Sequence, residues 1–370
     1  MTHSKTAASL FTPFVSDKLK LENRIVMAPM TRSFSPSGIP GPDVAGYYRR
    51  RAENAVGLII TEGTVINHPA AAADHNVPHF YGKEALEGWA RVVREVHEAG
   101  GKIAPQIWHT GTARAKSKFP DSPVDPVGPS GLSLTGEQVS EPLTKEEIAG
   151  LVQAYAQAAA DAKRIGFDAV EIHGAHGYLV DQFFWEVTNK RTDEYGGDLV
   201  GRTRFAVEVI EAVRAAVGPD FPIIFRFSQW KAFDYNAKLA ATPEDLGRFL
   251  APLSAAGVDI FHASTRRFWE PEFEGSDLNL AGWTRKLTGK PTITVGSVGL
   301  DSEFTSLFTE GKGSEAVGID HLIDRLDREE FDLVAVGRAL LQDPAWAVKI
   351  RDERSNELQP FTREALGTLS

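Results

Sequence analysis

The chain has 370 residues and no cysteine. That absence excludes a disulfide framework, a thiolate zinc site, an iron–sulfur cluster and a cysteine nucleophile together. Nor is there any run close to the roughly 18 consecutive apolar residues of a membrane span. The first ten residues lack the apolar stretch of a secretory signal, so none is expected. A basic surplus is missing too, because 40 Lys and Arg stand against 50 Asp and Glu, a formal charge of −10. Nucleic acid is therefore not expected as a partner, since it demands a basic face. Any anionic ligand has to be held by individual arginines. The expectation is a soluble, cytoplasmic protein handling small molecules, as a monomer or homo-oligomer, with no membrane partner.

What the chain does contain is alternation. Eight short apolar runs, rich in Val, Ile and Phe, occupy 25–30, 58–64, 103–108, 169–172, 223–227, 260–263, 292–295 and 333–336. None alternates strictly between apolar and polar, as befits strands buried on both faces. Amphipathic helical patterns separate them. Thr144 and Glu147 form a capping box ahead of one, and Gly166 follows as its C-cap. Thr242 and Pro243 open another, ending near Gly257, with Pro252 inside it predicting a kink or an early end.

Eight strand–helix units imply parallel pairing with right-handed crossovers. A (β/α)8 TIM barrel fits that count within one domain, residues 1–370, better than a doubly wound sheet. Residues 10–21 read as a hairpin before the first strand, plugging the barrel floor. The Pro- and Gly-rich stretch 110–142 reads as an active-site lid after strand three.

In such a barrel, chemistry belongs at the C-terminal strand ends. Those ends carry Pro29, Met30, Thr31, then Gly63, then Gln106, Trp108 and His109, then His173, His176 and Tyr178, then Arg226. The last two carry Gly296–Ser297 and Gly337–Arg338, with helical patterns expected directly after each. Glycine turns, a fixed arginine fork and helix starts suit a phosphate, although two ordinary turns with a surface arginine would look alike. His173 and His176, three apart on an expected helical turn, can jointly donate to one oxygen. A structural histidine pair and a metal site stay open as alternatives. A metal is the weaker of the two, lacking H-E-x-x-H, His-x-His or an evident third ligand. Phe268, with Trp230 and others, either lines a flat apolar site or packs.

Taken in order, Asn23-Arg24-Ile25-Val26-Met27-Ala28-Pro29-Met30-Thr31-Arg32, Thr61-Glu62-Gly63-Thr64 and Gln106-Ile107-Trp108-His109 resemble the old yellow enzyme family. So does Glu171-Ile172-His173-Gly174-Ala175-His176-Gly177-Tyr178, followed by the run Asn189 to Gly197, and finally Val336-Gly337-Arg338. The resemblance covers nearly the whole chain. It implies an FMN-dependent ene-reductase, with FMN held non-covalently and NAD(P)H as reductant. Pro29, Met30, Thr31, Gly63 and Gln106 would contact the flavin ring, and Arg226 its N1/O2 edge. Gly296, Ser297, Gly337 and Arg338 would hold the phosphate.

By the same resemblance, His173 and His176 would bind the carbonyl or nitro oxygen of an activated alkene. Hydride would reach Cβ from flavin N5, and Tyr178 would protonate Cα. Trp108 and Phe268 would help to line the substrate site. Another FMN barrel dehydrogenase or oxidase, with His173 as base, is an alternative. A metal-dependent hydrolase built on His173, His176 and His109 is a more distant one. No metal is expected. The run Arg191 to Gly197 is expected to anchor the lid through ion pairs. Residues 300–332 are longer than the family pattern, which loosens the assignments of Gly296 and Ser297 relative to Gly337 and Arg338.

Overall fold

A computed structural model describes residues 6–72, 74–114, 124–304 and 313–370. Two strands, β1 (Phe14–Val15) and β2 (Lys20–Leu21), form an antiparallel hairpin. Eight more close into a parallel barrel in the order β10-β3-β4-β5-β6-β7-β8-β9. They are β3 (Ile25–Met27), β4 (Leu58–Val65), β5 (Ile103–Trp108), β6 (Val170–His176), β7 (Ile223–Lys231), β8 (Ile260–Ser264), β9 (Thr292–Val295) and β10 (Leu333–Val336). The TIM barrel expected from the alternation is the fold.

Two apolar clusters follow from the strand period of two. Val26, Leu58, Ile60, Ala104, Ile224, Ile260, Ile293 and Ala335 point into the barrel, where Phe14, Leu19 and Leu21 of the hairpin join them. The hairpin thus closes the floor, as the sequence suggested. Intervening residues such as Ile25, Ile59, Ile103 and Ile172 face outward against the helices.

The helix α3 (Lys145–Ile165) begins at its capping box and ends at Gly166, whose φ of 102° suits glycine. The helix α6 (Pro243–Ala256) differs from expectation, because it runs through Pro252 to Gly257. Leu250 and Leu253 beside that proline are fully buried, and their packing sustains the turn that lacks a hydrogen bond. In the stretch expected as a lid, residues 115–123 lie outside the described residues, and Gly111–Ala113 form a 3-10 turn. Arg191 donates to the carbonyls of Pro129 and Leu143 and pairs with Asp193 at 2.6 Å. The run thus holds that stretch by hydrogen bonds to its carbonyls, and the ion pair with Asp193 lies within the run itself rather than reaching the lid as expected. Among the described residues, no helix is long and apolar enough to cross a membrane.

Candidate active site

The C-terminal strand ends enclose a cavity of about 350 Å³. It is lined by Pro29, Met30 and Thr31 beyond β3, by His176, by Arg226, and by Gly296, Ser297, Gly337 and Arg338 beyond β9 and β10. Chain segments more than 300 residues apart meet there because barrel closure pairs β10 with β3.

Beside the cavity stand three polar rings. His173 and His176 both lie on β6, not on a helical turn as expected, with ring centroids 5.1 Å apart. A register shift between β6 and β7, after Gly174, allows two residues of one strand to face the same space. Tyr178 stands edge-on to His173 at 5.0 Å and to Trp108 at 4.9 Å. The hydrogen-bond network assigns the tautomers. His173 Nδ1 accepts the Ala175 N–H at 3.3 Å, so its Nε2 carries the proton. His176 Nε2 bonds Ser264 Oγ at 2.8 Å, and that oxygen accepts from Arg226 at 3.3 Å. With Ser264 donating its one proton to His176 Nε2, the His176 Nδ1 carries the proton and is free to donate. Burial, then the Arg226 charge, holds both imidazoles well below their ordinary pKa. Burial raises the Tyr178 phenol. At neutral pH the site offers three neutral donors.

Arg226 is buried, and its Nε has no partner among the described residues. Behind it runs a chain that sequence reading missed. Gln106 Nε2 donates to Glu171 Oε1 at 2.8 Å, and Glu171 Oε2 meets His262 Nδ1 at 2.6 Å, all three side chains buried. Glu171 is the carboxylate that favours the charged form of Arg226 against burial. Glu62 was missed as a functional residue as well. Its Oε2 accepts the Arg32 and Ser33 N–H groups at 2.8 and 3.1 Å, tying down the segment that carries Pro29 to Thr31.

The phosphate-like end is denser than the sequence indicated. Arg338 Nη1 donates to Ser314 Oγ at 2.7 Å, and Nη2 donates to Ser297 Oγ at 3.1 Å and to the Ser302 carbonyl. Ser302 and Ser314 belong to the long segment 300–332, which thus reaches the cavity. The helix α9 (Arg338–Gln342) starts directly after Gly337. Directly after Gly296 the described residues 297–304 form bends, turns and a single bridge from Leu300 to Ala316 rather than the expected helix. A Cβ on Gly296 would fall 2.7 Å from Thr265 Oγ1, so only glycine fits that approach.

Phe268, Gly63 and Gln106 do not line that cavity. Phe268 is buried against Trp269 and His321 rather than lining the cavity, because its N–H bonds the Gly296 carbonyl and draws its ring into the core. It supports the glycine turn. Gly63 makes room for Trp108, whose Cε3 would lie 2.5 Å from an added Cβ. Gln106 turns its amide to Glu171. His109 turns to His68 at 3.0 Å, and among the described residues no three His, Asp or Glu groups assemble as a metal site.

Residues 9–357 match the NADH:flavin oxidoreductase / NADH oxidase family. A 12-oxophytodienoate reductase 2 from Arabidopsis thaliana is 33% identical over 353 residues, 92% of this chain and 88% of that protein. A 12-oxophytodienoate reductase 7 from Oryza sativa subsp. japonica is 40% identical over 231 residues, 58% of this chain. An NADH oxidase from Thermoanaerobacter brockii is 34% identical across 97% of this chain. The matched regions span only 57% and 52% of those last two proteins. Among solved structures, morphinone reductase in complex with tetrahydroNAD superposes with a TM-score of 0.81 at 30% identity, covering 97% of this chain and 94% of that one. Strand ends, site geometry and relatives agree, and the chain belongs to the old yellow enzyme family of flavin oxidoreductases.

Proposed function

We propose that this chain is an FMN-dependent ene-reductase acting on alkenes conjugated to a carbonyl or nitro group, with NADH or NADPH as reductant. In this reading residues 1–370 form one domain that holds FMN without a covalent bond. The observation that carries it is the meeting of two neutral imidazoles and a phenol beside a cavity that also receives a buried, under-bonded arginine. FMN fits the donor set: Arg338, Ser297 and the glycine turns would hold its phosphate, and Pro29, Met30 and Thr31 would line its ring. When bound, FMN supplies hydride transfer from the nicotinamide to the alkene carbon.

The chain does the rest. Arg226 supplies a fixed cation that favours a ring gaining negative charge. His173 Nε2–H and His176 Nδ1–H donate to the activating oxygen, a contribution on the order of 3 kcal/mol per positioned donor as charge develops there. Tyr178, whose pKa burial raises, keeps its proton at neutral pH and delivers it to Cα. A dehydrogenase using His173 as base is less favoured, because the Ala175 N–H already occupies Nδ1.

One anaerobic experiment tests the reading. The purified protein is expected to be yellow, to bleach with NADH or NADPH, and to recover its colour on adding 2-cyclohexenone. A colourless protein that takes up no FMN would refute flavin chemistry. Bleaching without recovery by any activated alkene would refute ene-reduction.

A further inference from the structure

A buried ion pair lies outside the cavity, beyond the groups that chemistry uses directly. Lys231, at the end of β7, lies with its Nζ 2.8 Å from Asp181 Oδ1, and both side chains are fully buried. Asp181 sits on the short helix α4 (Leu179–Phe184). Apolar side chains of similar volume often serve stability as well as such a pair, so its bonds need another account.

Those bonds converge. Asp181 Oδ2 accepts the Gly177 N–H at 2.7 Å. Lys231 Nζ also donates to the Ser228 carbonyl at 3.2 Å. Ser228 Oγ accepts the His176 N–H at 2.9 Å, and the Ala232 N–H donates to the His176 carbonyl at 3.1 Å. Lys231 is also the register partner of His176 across the shifted pairing of β6 and β7. Residues 176 and 177 are therefore gripped from the β7 side and from α4.

They need gripping. His176 has φ 65° and Gly177 φ 80°, two successive left-handed residues. Glycine enters that region freely, but histidine does so against crowding of its Cβ, and such a residue persists only where its surroundings over-determine it. This turn lets the end of β6 and the cap of α4 present His176 and Tyr178 to one space, with rings 6.4 Å apart.

We propose that the Asp181–Lys231 pair is a positioning device that locks the left-handed turn at His176 and Gly177 and thereby aims the His176 imidazole and the Tyr178 phenol. It rests on the ene-reductase reading for what those groups are aimed at. Neither residue lines the cavity.

The test uses the FMN-loaded protein and two double variants. Asp181→Leu with Lys231→Met replaces the pair by apolar packing and removes the acceptor for Gly177. Asp181→Asn with Lys231→Met removes the charges but keeps an acceptor. FMN content is expected to match wild type in both. Affinity for p-hydroxybenzaldehyde, read from its long-wavelength absorbance with FMN, should weaken about tenfold or more in the leucine variant, as misaimed groups do. In the asparagine variant it should weaken only about threefold, the size of one weakened hydrogen bond. The turnover number with 2-cyclohexenone should fall in the same order. Undiminished affinity in the asparagine variant overturns the proposal, as does a leucine variant no weaker than the asparagine one. If the leucine variant does not fold, the asparagine variant decides alone. A wild-type protein that binds FMN and the phenol yet leaves alkenes untouched strikes the functional reading, while the lock is still read from phenol affinity.

Discussion

Replacing Glu62 by Gln should change how the stability of this barrel depends on pH. Glu62 is 1% exposed on β4, one oxygen accepts two backbone N–H groups, and the other has no partner among the described residues. Burial raises its pKa from 4.5 to about 7, against the pull of the Arg32 and Ser33 N–H groups. Because the folded value lies above the unfolded one, folding takes up a proton between the two. The contribution is fully present below about 4.5 and is lost as pH rises through about 7. At about 1.4 kcal/mol per pH unit of that gap, ionised Glu62 weakens the fold by about 3 kcal/mol at high pH. Glutamine keeps an oxygen for Arg32 and Ser33 but cannot ionise. Urea unfolding of both FMN-free proteins should therefore show the variant gaining on wild type by about 2.5 kcal/mol between about pH 5 and pH 8.5. A difference that stays flat across that range, or moves the other way, refutes the burial argument. The result bears on function because Glu62 fixes the segment that leads into the cavity through Met30 and Thr31.

His176→Ala removes one of two donors to the activating oxygen. Re-oxidation by 2-cyclohexenone in stopped flow should slow about a hundredfold, and a loss under threefold would count against the donor role. Burial and Arg226 keep both imidazoles neutral, and burial keeps the Tyr178 phenol protonated. The rate of that step should show no inflection from these groups between about pH 6 and pH 9, and one near 6.5, the ordinary histidine value, would contradict it. Arg338→Lys trades a fork that reaches Ser297 and Ser314 for a single point charge. Its FMN dissociation constant, followed by flavin fluorescence, should rise about tenfold, and an unchanged value would remove Arg338 from the phosphate site.

Much of the fold was legible because its signals are local. The eight apolar runs, the Thr144 capping box and the Gly166 cap each depend on residues within a few positions, and each became the expected element. The site was legible in part for the same reason, since strand ends mark one face of a barrel. Misreadings arose where tertiary packing outweighed local preference. Pro252 did not end its helix because Leu250 and Leu253 hold it to the core. Phe268 packs inward because its backbone is tied to Gly296. His173 and His176 lie on a strand rather than a helical turn, and they face one space because the register shifts between β6 and β7, a feature that no single segment encodes.

The sequence by itself determined the architecture, the family, and which residues stand at the strand ends, with cysteine chemistry excluded from the start. Only the tertiary structure decided which of those residues act together. Gln106 with Glu171 and His262, Asp181 with Lys231, and Arg338 with Ser314 are partners from different strands and loops. Their pairing depends on strand register and on closure of the barrel, which set distances between residues far apart in the chain. Those same contacts, by burial and neighbouring charge, set which groups hold their protons, and that is where the chemistry is decided.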